Sequence, residues 1–186
     1  MQTVATVLWR RLDGPGHDAC RLEANDSAWM IDGAAVFQDR AGQVAQLHYR
    51  VRCDRHWHTQ WGTVRGWLGP RAVDLSIVRE ARGWMLNDVP APELGHCLDL
   101  DLGFTPATNL LAIRRLQLEL GQRADAPAAW LDLPTQALGE LAQRYERLND
   151  SGYSYEAPRF DVAQQLRVSP EGMVLDYPGL WQAEGV

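Results

Sequence analysis

Residues 47–53 read LHYRVRC, and in this stretch Leu47, Tyr49, Val51 and Cys53 alternate with His48, Arg50 and Arg52, continuing to Asp54. A period of two is what a β-strand with one apolar and one polar face requires, because successive side chains point to opposite sides. The same alternation recurs on both sides of this stretch. Val73, Leu75 and Ile77 flank Asp74 and Ser76, and Leu98, Leu100 and Leu102 flank Asp99 and Asp101. Leu116, Leu118 and Leu120 flank Gln117 and Glu119. Val4–Arg11, Ala19–Ala24 and Met173–Tyr177 are shorter strand candidates.

Turn-forming residues punctuate these runs at Asp13-Gly14-Pro15-Gly16, Asp32-Gly33, Arg40-Ala41-Gly42, Gly69-Pro70, Arg82-Gly83 and Pro170-Glu171-Gly172. Short strands separated by turns predict a mainly β, antiparallel architecture: a sandwich, barrel or roll. Two segments have helical features. Thr105-Pro106 offers an N-cap followed by proline, so Ala107–Arg115 is predicted as a short helix. Leu138, Leu141, Ala142, Tyr145 and Leu148 sit at helical spacing, but Leu141, Gln143, Tyr145 and Arg147 also alternate, and periodicity leaves helix and strand open there.

The 186 residues are expected to form one domain, 1–186, and nothing in the chain marks a boundary. A chain of this length buries enough surface to need neither disulfide nor metal. The formal net charge is −6, and all 18 basic residues are arginine. The absence of lysine excludes Schiff-base chemistry, and an acidic chain without a basic run is a poor nucleic-acid ligand. Cys20, Cys53 and Cys97 are odd in number and widely spaced, which argues against a disulfide framework or a structural zinc site. No positively charged segment leads into an apolar stretch at the N-terminus, and no apolar run approaches the roughly 18 residues of a membrane helix. The cytoplasm is the expected compartment.

The tryptophan-rich stretch 57–67 is the most informative one for function. On a continuous strand Trp57, Trp61 and Trp67 would share a face, as a wall of a cavity for a lipid, a sugar or an aromatic ligand, with Trp84 as a further candidate. Core packing is the more ordinary account of such residues. Eight tryptophans in the chain keep the cavity reading in play. His56 and His58 could supply two metal ligands, but solvated or core histidines are the ordinary case, and no metal or cofactor is expected. Asp99 and Asp101 look like paired carboxylates able to act as acid and base, although the pattern alone favours a polar outer face opposite the leucines. Arg114 and Arg115 would either neutralise them or grip an anionic head group. The usual nucleophile and nucleotide motifs are absent.

Gly95–Leu120, reading GHCLDLDLGFTPATNLLAIRRLQLEL, together with AAWLDLP at 128–134, Gln143-Arg144-Tyr145, Tyr153-Ser154-Tyr155 and Asp176–Trp181, resembles a bacterial family named for glycolipid binding and long catalogued as a domain of unknown function. The resemblance covers nearly the whole chain and is most specific over Asp99–Leu116. Ala112 stands where many relatives carry proline, which weakens the expectation of a kink there. The resemblance implies a spiral β-roll with one or two short helices, favours strand over helix at 138–148, and implies an amphiphilic ligand such as a glycolipid. Asp99, Asp101, Thr105, Asn109, Arg114 and Arg115 match its motif, and Tyr145, Tyr155, Tyr177 and Trp181 match its aromatic positions. The ligand-binding candidates are therefore Trp57, Trp61, Trp67, Trp84, Asp99, Asp101, Asn109, Arg114, Arg115, Tyr145 and Tyr155. An enzyme of lipid or sugar conjugates using Asp99 and Asp101, and an interaction protein with a packed core, are the alternatives.

Overall fold

The alternating stretches of the N-terminal half become long strands in the computed structural model, which describes residues 1–185. β1 (Gln2–Arg11), β2 (Gly16–Ala24), β3 (Ala28–Gln38), β4 (Val44–Asp54), β5 (Thr59–Leu68), β6 (Arg71–Glu80), β7 (Gly83–Leu86) and β8 (Val89–Ala91) follow one another as an antiparallel meander. On β4 the predicted apolar residues are all buried, with their polar neighbours on the other face.

The chain then turns inward. It forms β9 (Asp99–Asp101), a 3-10 turn at Pro106–Thr108 and α1 (Asn109–Leu116), followed by β10 (Arg123–Asp125), β11 (Ala128–Asp132) and β12 (Ala137–Leu141). A second meander completes the chain: β13 (Arg144–Asn149), β14 (Gly152–Ala157), β15 (Val162–Val168), β16 (Val174–Tyr177) and β17 (Trp181–Ala183). β17 pairs with β1, which joins the two meanders into a 14-stranded antiparallel sheet running from β10 to β8. Strands β12, β11 and β9 form a separate small sheet, and β9 and β11 in it are parallel. The large sheet is open rather than a closed barrel, and the mainly β, antiparallel architecture expected from the alternation and turns is what forms.

The inward segment fills most of the curve. Leu100, Leu102, Leu110 and Leu111 are fully buried, and the backbone N–H of Leu100 donates to Thr59 Oγ1 at 3.3 Å. Thr105 caps the turn before α1, its hydroxyl accepting from the Ala107 N–H at 3.0 Å. One hydrophobic cluster spans both meanders and the inward segment.

Two local expectations do not hold, and a third stretch, open between helix and strand, is settled. Asp32-Gly33 is not a turn but lies in the middle of β3, because the Tyr49 ring occupies the space that a Cβ at position 33 would need. Leu116–Leu120 is not a strand: α1 runs to Leu116, and Gln117 then takes a left-handed conformation (φ 46°) that ends it. The 138–148 stretch, which periodicity left open, is strand in β12 and β13. The Tyr49 ring is fully buried and its hydroxyl is anchored on Asp18 at 2.8 Å, so it has little freedom to move aside. Gly33→Ala is therefore expected to cost about 1–3 kcal/mol through overpacking. Urea denaturation tests this, and an unchanged midpoint would show that the ring yields.

Candidate functional site

One end of the roll is left unfilled. A cleft of about 970 Å³ opens there, between the β3–β4 and β5–β6 connections on one side and the Pro158–Phe160 turn before β15 on the other. Its walls carry Phe37, Phe104, Leu131, Leu133, Trp130 and Trp181. Phe37 and Phe104 are stacked with centroids 6.1 Å apart, and Tyr49 meets Phe104 edge-on from behind. At the mouth the Arg159 guanidinium lies 4.8 Å above the Trp130 ring, and the exposed Phe160 packs edge-on against the same indole. Arg11 lies 5.2 Å from the Phe37 ring and 5.9 Å from that of Trp181, and is held there by two hydrogen bonds to Asp13.

The floor is polar. Asp101 Oδ1 accepts from the Gly103 N–H at 2.7 Å, and its Oδ2 accepts from Gln143 Nε2 at 2.7 Å. The same amide donates to the Tyr155 hydroxyl at 3.0 Å. Tyr177 and Asn109 complete the surface, and Asn109 Nδ2 donates to the buried Tyr145 hydroxyl at 2.8 Å. Burial raises the Asp101 carboxyl above its ordinary value; the bonds from Gly103 and Gln143 pull the other way, and the nearby Asp99 charge adds to the rise. Burial likewise raises the phenols of Tyr155 and Tyr177, so both remain protonated donors.

The structure sorts the sequence candidates into three groups. Asp101, Asn109 and Tyr155 face the cleft. Asp99, Arg115 and Tyr145 stand behind it, and Arg115 binds Asp99 through both carboxylate oxygens at 2.9 and 2.7 Å. The two aspartates therefore share a face of β9 without sharing a pocket. That face is interior rather than an outer polar surface, because β9 runs inside the roll with Asp99 only 2% exposed. The tryptophans do not gather on a common inner wall. β5 begins at Thr59, and a bulge leaves Gln60 unpaired between Thr59, opposite Cys53, and Trp61, opposite Arg52. The extra residue changes the parity, so Thr59 points inward while Trp61 and Trp67 share the outer face. Trp67 is 40% exposed and donates to Gln46 Oε1, whereas Trp84 is core and donates to the Cys97 carbonyl. Trp57 is buried at the opposite end of the roll, and Arg114 lies 5.5 Å from its ring. His56 and His58 occupy the turn before β5, where His58 Nδ1 lies 3.1 Å from Asp54 Oδ2. Burial pushes the Cys53 thiol up to about 12, in keeping with an unreactive core residue.

The family described as "Putative glycolipid-binding" matches residues 6–183. The chain belongs to this family. The crystal structure at 1.80 Å resolution of a DUF1089 family protein from Pseudomonas aeruginosa is similar, with 33% sequence identity, a TM-score of 0.79, and coverage of 90% of this chain and 91% of that one. No curated protein matches the chain. The family's β fold is the one described above, and no helix among the described residues is long and apolar enough to cross a membrane.

Trp130, Trp181 and Phe160 are cleft residues absent from the candidate set. Trp130 and Trp181 lie within the segments that carry the family resemblance, AAWLDLP and Asp176–Trp181, and those segments are the better signal. Local tryptophan density in 57–67 reports packing and outer-surface positions instead.

Proposed function

We propose that the protein binds an amphiphilic small molecule, of glycolipid or similar kind, in the cleft at the Phe37–Trp130–Trp181 end of the roll. The observation that carries this reading is the combination of a largely apolar cleft of about 970 Å³ with a polar floor of Asp101, Tyr155, Tyr177 and Asn109. Ligand sites are typically concave and apolar with a few placed polar groups. The family's description supports the same class of ligand. Arg114 and Arg115 do not line this cleft, so this reading places the head-group contacts on the floor residues instead. The mouth carries Arg11, Arg40, Arg71 and Arg159 against Asp13, Asp39, Asp132 and Asp161, which is balanced in charge. The floor has an acidic group and no cation of its own. Both features favour a hydroxyl-rich, uncharged head over an anionic one.

Titration with n-octyl glucoside below its micelle concentration, in parallel with decanoate, tests the reading. Trp130 and Trp181 are expected to report binding by a change in emission. Near-saturating ligand, at about 100 times its dissociation constant, stabilises the fold by about 2.7 kcal/mol, or roughly 5–10 °C for a chain of this size. Phe160→Ala removes exposed apolar surface from the mouth and is expected to weaken binding by about three- to tenfold. If neither probe changes emission or melting temperature, the cleft is not an amphiphile site.

A further inference from the structure

A second cleft, of about 470 Å³, opens at the opposite end of the roll and shares no lining residue with the first. β3 and β14 present Phe37 and Ala157 to the first cleft, and Trp29 and Tyr153 to the second. α1 spans the distance between them, with Asn109 at one end and Arg114 at the other.

The wall of this second cleft is a four-layer stack. Trp29 and Trp57 lie face to face, with centroids 4.4 Å apart and planes at 19°. Arg55 covers the outer side of Trp29 at 5.6 Å, and Arg114 that of Trp57 at 5.5 Å. A guanidinium group thus lies over each indole. The indoles act here as platforms that place charge. Trp57 adopts a left-handed backbone (φ 69°), unusual for a bulky residue, and this orients its buried ring beneath Arg114.

Arg147 is the third arginine on the cleft, and Asp150, 3.6 Å from it and fully exposed, is the single carboxylate. Among the lining side chains the balance is two positive charges in excess, within a chain whose net charge is −6, and the nearby Glu171 carboxylate is engaged by the Ser169 hydroxyl at 2.8 Å. Arg147 also donates to the Leu118 carbonyl, and Arg55 to that of Asn25. Arg115 is committed to Asp99, whereas its neighbour Arg114 forms no salt bridge among the described residues. Ser169 and Gln117 add polar groups around the opening.

We propose that this second cleft binds a phosphoryl group, with Arg114 as its principal ligand and Arg55 and Arg147 supplying the field. A phosphomonoester carries close to two negative charges near neutral pH, which matches the local excess, and the planar arginine fork suits its oxygens. The group could belong to a soluble phosphorylated metabolite or to a lipid head group, and both present the same chemistry to the cleft.

The test is a titration of the full chain at low salt with inorganic pyrophosphate and with glycerol phosphate, read by tryptophan emission and by calorimetry. Flotation with vesicles containing phosphatidic acid, whose head is a phosphomonoester, against phosphatidylcholine vesicles as control, forms the second arm. Binding is expected in at least one arm, weakened about tenfold or more by Arg114→Gln and less by Arg55→Gln, and weakened by added salt. Binding of the soluble phosphates alone identifies a solute, and binding of phosphatidic acid vesicles alone identifies a head group. Arg55 is exposed, so Arg55→Gln keeps the test informative even if Arg114→Gln fails to fold. No response of the wild-type protein to any probe into the millimolar range overturns the proposal, and so does binding that both variants leave unchanged.

Discussion

Replacing Arg115 by methionine is expected to lower the unfolding free energy by about 3–5 kcal/mol, the usual cost of leaving one member of a buried ion pair without its partner. The guanidinium is the only cation that contacts Asp99 among the described residues, and it does so through two hydrogen bonds with little solvent access to either side chain. Without it, a carboxylate on an interior strand would face the raised carboxyl of Asp101 two residues away. Asp99→Asn should cost a similar amount, since it strands the arginine instead. The double variant Asp99→Asn with Arg115→Met is expected to recover much of the loss, because removing both charges also removes their desolvation penalty. Urea midpoints for the three variants, with constant m-values, measure this coupling. Strictly additive losses would mean that the pair does not act as a unit tying α1 to β9.

That pair also shows what could be read from the sequence and what could not. Alternation is a local signal, and it found β1, β4 and β6 because each has one face on the core and one on solvent. It failed for the environment of β9, where both faces are interior: Leu100 packs toward β5, Asp99 is bound by Arg115 of α1, and Asp101 by Gln143 between β12 and β13. A polar residue alternating with leucine reads as a solvent face unless the partner that satisfies it is known, and Arg115 and Gln143 lie 16 and 42 residues away. The tryptophan face failed for a related reason. Period-2 reasoning assumes an unbroken strand, and one unpaired residue at Gln60 reverses the parity of everything before it. The pairing of β17 with β1 joins residues from opposite ends of the chain, and no local pattern specifies it. The cleft exists because the inward segment stops short of that end, which again depends on packing rather than on any motif. The polar floor was more legible: Asp101 and Asn109 lie in the most specific part of the resemblance and Tyr155 in another of its segments, and all three face the cleft.

The second large effect concerns pH. As the pH rises from about 4 to about 6, the wild-type protein is expected to lose stability that an Asp18→Asn variant keeps. Asp18 is fully buried on β2, where Oδ2 accepts hydrogen bonds from the Tyr49 hydroxyl at 2.8 Å and from the Thr105 hydroxyl, while Oδ1 has no partner. Burial is the main reason its carboxyl rises from 3.8 to about 6, and the two hydroxyl donors offset only part of the rise. Through this window the folded protein holds a proton that the unfolded chain has already released, so raising the pH favours unfolding. At about 1.4 kcal/mol per unit the penalty reaches roughly 3 kcal/mol above pH 6 and disappears below pH 4. For a chain of this length that corresponds to roughly 6–12 °C in melting temperature. The asparagine side chain is neutral throughout and retains an oxygen for Tyr49 and Thr105, so the variant should match the wild type near pH 4 and exceed it at pH 7.5. Asp101 is also raised by burial and contributes in the same direction, but it is common to both proteins and cancels in the difference. Melting curves of the two proteins across this range decide the matter: parallel profiles would mean that the bonds from Tyr49 and Thr105 offset burial in full, leaving the Asp18 carboxyl at its unfolded value.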